Sequence, residues 1–506
     1  MIAFVRRIGP VSAVFLGIWL LLMIGGREKF LRDPGMFWHT TVGEKLLADG
    51  FFTGDPFSFT RPGARWVPHQ WLGEVGMALA HRVAGFDTYM LLASALLAAL
   101  FTWLATRLMR TGLHPMAALL VVLAALATGA LQFHVRPLLL TLVLTTVVMV
   151  LLCSYEAGRI PRQRLWWLVP AFVVWSNTHG GVIAGFVLLL AAWTGWTLAR
   201  VVGWPTPFQS HRATGAFLLL VLACAATAFA NPYGWEIPRA WLMIMRGPKL
   251  SGLIEEHKRL DPTESTSWPL FAFAGLYLFV LAGLRERPRI VWLLPLLWLM
   301  QSFFRVRHAP LFALAALVAM TDCWPRTRWA AWLAAHRPDL QGPAPPRSPN
   351  WVWCVPLAMI LAVAGLQAGG VRVPVIGAGW AGFQRDRWPV ELIPVLKRHE
   401  PRSGEPNRLF NTCLLGGFAI YHVPGYKIFI DDRVELYGED FYEEHILANT
   451  PADAGPALDR WQRDYGTFDF ALVEVKSAFA AELRRRSNRW EILGEDAAAV
   501  FFRRRP

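Results

Sequence analysis

Residues 8–44 read IGPVSAVFLGIWLLLMIGGREKFLRDPGMFWHTTVGE. No charge falls between Arg7 and Arg27, and at 1.5 Å per residue such a run is long enough to cross a hydrocarbon core of about 30 Å. Arg6 and Arg7 precede it, and GGREKF follows it in place of a small-residue cleavage pattern, so the segment is expected to be an uncleaved anchor with a cytoplasmic N-terminus. Asp33 comes directly after the anchor. Beyond Pro34, Phe37, Trp38, Val42, Leu46 and Leu47 fall at helical spacing, which predicts an amphipathic helix lying in the membrane interface beside an acid.

Working outward, the rest of the chain has the composition this opening suggests. Of 506 residues, 55% are hydrophobic and 17% charged, against about 25% charged in ordinary soluble proteins. Residues 1–370 hold 31 Lys and Arg against 16 Asp and Glu, and residues 371–506 hold 19 against 20. The chain therefore divides into an expected transmembrane domain, 1–370, and a globular C-terminal domain, 371–506. The formal charge of +14 sits as arginine between apolar runs, which is a topological signal and not a nucleic-acid footprint. The five cysteines are scattered without C-x-x-C spacing, so neither a disulfide framework nor a zinc site is signalled.

About eleven spans are expected, near 9–26, 86–106, 116–132, 138–154, 165–177, 180–198, 215–230, 269–284, 290–304, 310–324 and 351–369, with a Pro-rich linker QGPAPPRSP before the last. Alternation from a cytoplasmic N-terminus places MRTGLHP, YEAGRIPRQR, the loop near Arg200, RERPR and residues 325–350 inside. These loops carry arginine and no lysine, against Glu156, Glu286, Asp339 and, at the boundary, Asp322, a positive-inside bias. The external side receives the loop 27–70, the short loops at Arg136, His179 and His308, the loop 231–268 and the C-terminal domain. In that domain RLFN, KIFIDD, FDFALVE and AAVFFRR predict strands, and LLGGFAIYH, ALDRWQRDYG and SAFAAELRRR predict helices. The expected fold class is an α-helical polytopic membrane protein with a small C-terminal α/β domain.

The chemistry-bearing side chains gather on the external side. Asp33 could take a proton from a hydroxyl or ligate a divalent ion such as Mg2+ or Mn2+, and Asp before Pro also starts ordinary turns. His39, Asp55 and His69, with Glu74, lie in the same loop. Arg136, Arg305 and Arg307, with His308, sit between spans, where guanidinium groups suit phosphate or snorkel to lipid headgroups. His179 in SNTHGG is either a packing residue or a base. Glu255, Glu256 and His257 form a charge cluster of the kind that usually marks a solvated face, and IDDRVELYG follows a predicted strand, as ligand sites of α/β sheets often do. No phosphate-binding glycine loop, zincin helix, nucleophile elbow or dinucleotide fingerprint is present, so those chemistries lack support.

An acid at the outer end of the first span, a long first external loop, about eleven spans and an exported α/β tail resemble the GT-C superfamily of polyprenyl-phosphate-dependent membrane glycosyltransferases. The segments that carry the likeness are DPGMFWHTTVGE, GDPFSFT with WVPHQWLGE, QFHVRP, NTHGG, NPYG, RHAPLFALAA, FNTCLLGGFAIY and FIDDRVELYG. The resemblance implies a bacterial inner-membrane glycosyltransferase. It would move a sugar from a polyprenyl-phosphate donor to an extracytoplasmic glycan, lipid or protein acceptor, with inversion. Asp33 would be the catalytic acid or base, Arg136, Arg305 or Arg307 would hold the lipid phosphate, and His39, Asp55, His69, His179 and His308 would line the substrates. Two departures matter: many relatives carry a second acid where Pro34 and Gly35 stand, which weakens a metal reading, and WQRDYG only loosely echoes the oligosaccharyltransferase tail motif. The rival readings are a transporter or flippase of lipid-linked sugar and a non-catalytic assembly factor for envelope polysaccharide.

Overall fold

The computed structural model describes residues 2–247, 249–253, 255–342, 354–369, 371, 379–402, 404 and 407–506. Most of the QGPAPPRSP linker and the start of the last expected span, residues 351–353, lie outside the described residues. Each of the eleven apolar stretches contains a helix: Ile2–Gly26, Phe86–Met109, Pro115–Gly129, Leu138–Glu156, Leu168–Thr178, Val182–Val201, His211–Ala226, Trp268–Ala282, Ile290–Phe304, Ala309–Cys323 and Cys354–Ala368. Among the described residues seven helical segments are long and apolar enough to cross a membrane. Large apolar side chains such as Leu92, Leu120, Leu198, Leu219 and Leu278 stand exposed on them, the pattern of a lipid-facing surface.

The chain forms two compact units. The first comprises residues 1–27, 86–231 and 254–380; the second comprises 28–85, 232–253 and 381–506. In the first unit the Ala309–Cys323 helix is the hub, with all residues from Ala309 to Met320 buried. It packs against the Phe86–Met109, Pro115–Gly129, Leu138–Glu156, Trp268–Ala282 and Ile290–Phe304 helices. Its five alanines explain the central place, because without a hydrophobic drive between helices in lipid, small residues gain most by letting backbones approach.

The second unit joins the segments 28–85 and 232–253 to the C-terminal residues. Its sheet has strands β1 (Arg408–Asn411), β2 (Lys427–Ile428), β3 (Phe470–Glu474), β4 (Trp490–Glu495) and β5 (Ala499–Arg504) in the order β2-β1-β3-β5-β4. The β1 strand runs parallel to β2 and β3, while β5 is antiparallel to β3 and β4. Residues 57–59 lie along the outer edge of β2: Ile428 N donates to Phe57 O at 3.1 Å and Phe59 N to Ile428 O at 3.0 Å, so loop backbone pairs with that edge. KIFIDD holds only a two-residue strand because Phe429 N turns away to Asn411 Oδ1 at 2.8 Å.

The Gly35–Asp49 helix corrects one expectation. Its apolar face is buried in protein: Phe37 lies 5.0 Å from Trp388 and 5.5 Å from Phe418, ring centre to ring centre, and Val42 is fully covered. The helix packs on Trp71–Ala84 and on Cys413–His422. Of the five apolar residues at helical spacing, Phe37, Trp38, Val42 and Leu46 are buried and Leu47 is exposed, and what covers the buried ones is the core of this unit and not lipid.

Candidate active site

Asp33 is buried in the turn that enters the Gly35–Asp49 helix, and its Oδ1 accepts from Gly35 N at 2.7 Å. Residues from the C-terminal part hold the neighbouring backbone. Trp388 Nε1 donates to Leu31 O at 2.9 Å, and Arg387 Nε to Arg32 O at 2.8 Å. The paired glycines of FNTCLLGGFAIY explain how the helix comes so near. A Cβ on Gly416 would lie 2.2 Å from Ile430 O, and one on Gly417 would lie 2.5 Å from Pro34 O. Gly417→Ala is therefore expected to push Pro34 aside and to destabilise this unit by about 1–3 kcal/mol. Gly76→Ala, with nothing within 4 Å of its Cβ, is expected to leave thermal stability unchanged or to raise it through helix propensity. Equal melting temperatures for the two variants would contradict the close approach.

Asp55 lies in the turn of GDPFSFT, accepting from Ser58 N at 2.8 Å and Phe57 N at 3.2 Å. Its Oδ1 also sits 2.9 Å from Arg433 Nη1. Arg433 grips Asp431 in a fork, with Nε 2.9 Å from Oδ1 and Nη2 2.6 Å from Oδ2, and Tyr437 Oη donates to Asp431 Oδ2 at 3.2 Å. The guanidinium stands 4.7 Å from the centre of the Trp66 ring and 5.2 Å from that of Phe57. Burial works against its charge, but the two carboxylates outweigh burial and hold it firmly protonated. This three-residue knot ties the first loop to the segment IDDRVELYG, which the sequence had marked only by its place after a strand.

Beside the knot, His39 Nδ1 is 2.9 Å from Glu74 Oε1, and His69 Nδ1 is 3.8 Å from Glu435 Oε1. Burial lowers the His69 pKa against the pull of Glu435, which leaves the ring neutral at pH 7. Burial, with Glu435 adding to it and Arg433 opposing, raises Glu74 well above the usual carboxylate range, and a protonated Glu74 can donate to His39. Trp38 Nε1 donates to Asp432 Oδ1 at 2.8 Å and Trp66 Nε1 to Glu435 Oε1 at 3.0 Å. Glu74, Glu435 and Asp432 and both histidines of this wall are thus engaged within the unit.

In the first unit, three loops meet at one end of the bundle. Arg136 Nη1 pairs with Glu256 Oε1 at 3.2 Å, and Arg307 Nη1 meets Nε2 of the buried His257. Val306 N donates to Lys258 O at 3.0 Å, which draws the Arg305–His308 turn onto the 255–260 segment. Burial, then the charges of Arg307 and Arg305, lowers the His257 pKa to about 3, so the neutral ring accepts from Arg307. Burial alone would raise Glu256, but the charges of Arg136 and Arg307 outweigh it and keep the carboxylate ionised. A ring nitrogen of His134 and a carboxylate oxygen of Glu256 come within 4.8 Å of one another, a donor pair of the kind a divalent cation takes. Glu256 and His257 face this cluster, not a solvated surface. Nothing local marks them: the signal is the convergence of loops far apart in sequence. His308 stacks near Trp298 at 5.9 Å.

His179 follows the end of the Leu168–Thr178 helix. Its Nδ1 is 2.9 Å from Gly181 N and 2.9 Å from Thr141 Oγ1. An amide N–H can only donate, so Nδ1 is an acceptor and the ring proton lies on Nε2. A Cβ on Gly181 would fall 2.5 Å from Thr141 Oγ1, which explains the glycine after His179.

No family model and no curated protein matches the sequence. Solved structures do match. ArnT from Cupriavidus metallidurans bound to undecaprenyl phosphate aligns over 97% of this chain and 97% of its own, with 14% identity and a TM-score of 0.51. The archaeal oligosaccharyltransferase AglB from Archaeoglobus fulgidus, in complex with an inhibitory peptide and a dolichol-phosphate, aligns over 92% of this chain and 69% of its own, with 11% identity and a TM-score of 0.53. The Archaeoglobus enzyme in complex with Zn and sulfate aligns at a TM-score of 0.50. Asp33, Arg136 and the Arg305–His308 turn thus belong to a chain that shares its fold with ArnT and AglB.

Proposed function

We propose that this protein is a GT-C glycosyltransferase that moves a sugar from a polyprenyl-phosphate donor to an extracytoplasmic acceptor. The observation that carries the reading is the cationic cluster of Arg136, Arg305 and Arg307, set around one ionised acid at the end of the bundle. The GT-C fold adds to it, since two proteins of that fold were solved with polyprenyl phosphates. In the reaction, an acceptor oxygen attacks the anomeric carbon as the bond from that carbon to the phosphate oxygen breaks. The polyprenyl phosphate leaves with the electron pair, the anomeric centre inverts, and the acceptor proton passes to the Asp33 carboxylate. The arginines bind the departing phosphate, whose charge rises as the bond breaks, so they stabilise the transition state more than the ground state. The donor carries its own activation, and no nucleotide site is needed.

Asp55, His39, His69 and His179 serve this chemistry by holding the walls, and His308 by placing the Arg305–Arg307 turn. A divalent cation, Mg2+ or Mn2+, would add Lewis acidity at the phosphate, with His134 and Glu256 as protein donors. The N-terminus lies in the cytoplasm, and residues 371–506 lie outside the inner membrane of a bacterium.

Native mass spectrometry of the gently solubilised protein tests the donor class. The expected result is a co-purifying polyprenyl phosphate that carries a sugar mass. Arg136→Gln and Arg307→Gln are each expected to lower its occupancy about tenfold, the loss of one charge-assisted contact. Unchanged occupancy in both variants would return these arginines to nonspecific lipid contact. Uptake of a lipid-linked sugar by proteoliposomes, driven by an ion gradient, would replace transfer with transport.

A further inference from the structure

The Leu138–Glu156 and Ala309–Cys323 helices start at the Arg136 and Arg307 cluster and end, about 28 Å away for the 19-residue helix, at a second group of arginines. There, with the end of the Phe86–Met109 helix, they enclose an open cleft of about 630 Å³ lined by Arg107, Arg110, Arg159, Arg326, Asp322 and Ser154, among others. We propose that this cleft is a binding site for a phosphate-bearing anion, distinct from the site of transfer.

The charges at this end are out of balance. Asp322 is already met by Arg159, by Arg289 at 3.1 Å and by Trp292 Nε1 at 3.0 Å, and Glu286 is met by Arg326 at 2.6 Å. Arg107 and Arg110 make no ion pair at contact distance among the described residues, although Asp322 acts on Arg107 through space, and Arg107 Nε is buried with no hydrogen-bond partner there. Arginines near helix ends also serve the terminal carbonyls, and Arg159 Nη2 does so to Cys153 O at 3.2 Å. The magnitudes show that this does not absorb them all. Glu156, which accepts from Ile290 N at 3.0 Å, is a third carboxylate at this end. Three helix C-termini carry roughly −0.5 each, so five guanidiniums against three carboxylates and three helix ends leave a surplus of roughly +0.5.

The volume falls in the range of small-ligand sites. The donors suit phosphate, because guanidinium forks match its oxygens in pairs and the Ser154 hydroxyl can add a third contact. Arg107 lies over the half-exposed Trp103 ring at 5.4 Å, an aromatic and cation pair of the kind that marks the headgroup level of a bilayer. Basic pockets between helix ends at that level take lipid phosphates. A soluble phosphate or diphosphate offers the same chemistry.

The test uses the full chain in phosphatidylcholine nanodiscs doped with phosphatidylglycerol, read by native mass spectrometry, with inorganic diphosphate tested separately by thermal shift in detergent. Wild type is expected to retain phosphatidylglycerol selectively, and Arg107→Gln with Arg110→Gln to weaken that retention about tenfold. A thermal shift with diphosphate in wild type and none in the variant, without lipid retention, would assign the same site to a soluble anion. Arg110 is exposed, so Arg110→Gln alone folds if the double variant does not, and the wild-type arms stand without any variant. Wild type that shows neither selective retention nor a diphosphate shift overturns the proposal, as does retention equal in wild type and variant. Retention of the sugar donor, read in the same spectra, reports on Arg136 and Arg307 and keeps the two sites separate.

Discussion

Arg433→Met is expected to lower the melting temperature of the full chain by on the order of 10 °C, because about 3–5 kcal/mol is lost when one member of a buried ion pair is removed. The cost comes from what is left behind. Asp431, Asp55 and Arg433 are each buried, and without the guanidinium two carboxylates remain in a site walled by Trp66, Phe57 and Trp38. Methionine fills much of the volume but supplies neither charge nor donors. Lysine is a poor rescue, since a single ammonium cannot fork to Asp431 while it reaches Asp55. Arg433→Met combined with Asp55→Asn and Asp431→Asn removes the stranded charge and is expected to recover part of the loss. Thermal unfolding of the full chain, followed by intrinsic fluorescence, reads the effect. A melting temperature within a degree of wild type for Arg433→Met would show that the knot contributes nothing to holding this unit together.

The knot also shows what the sequence could and could not convey. Membrane spans are legible because bilayer thickness fixes the length of an apolar run, and all eleven stretches contain helices. The RLFN and AAVFFRR strands are legible because their buried faces leave continuous apolar residues. The WEILGE strand, β4, was not read, since it is half exposed, polar at both glutamates, and irregular in register between Ile492 and Gly494. Pairing between distant segments is a different kind of information. Asp55 and Arg433, Glu256 and Arg136, and Phe37 and Trp388 lie far apart in the chain, and each alone reads as a turn residue, a solvated charge or a lipid-facing aromatic. Local periodicity determines which face of a helix is apolar. It does not determine whether protein or lipid covers that face, which is why the Gly35–Asp49 helix was placed in the membrane interface. The double glycine at 416 and 417 is plain in FNTCLLGGFAIY, yet its reason, two backbones at contact distance, exists only in three dimensions.

Asp33→Asn separates catalysis from structure at the residue on which the proposed reaction depends. The amide is nearly the same size as the carboxylate, and its oxygen can accept from Gly35 N as Asp33 Oδ1 does at 2.7 Å, so the turn and the melting temperature are expected to persist. What is lost is a charged base. General-base assistance is worth about 10² to 10⁴ in rate, and transfer by the variant is expected to fall by that factor. In the proposed reaction Arg136, Arg305 and Arg307 hold the donor phosphate, so donor occupancy is expected to stay at the wild-type level or rise, because turnover no longer empties the site. The two outcomes are read together by mass spectrometry of protein purified from membranes, as the ratio of sugar-bearing to sugar-free polyprenyl phosphate on each variant. A ratio shifted toward the sugar-bearing form, at unchanged thermal stability, is the signature of a lost base. If Asp33 served only its turn, asparagine would serve as well, and wild-type turnover in the variant would move the proton to another group and leave the carboxylate with a structural role alone.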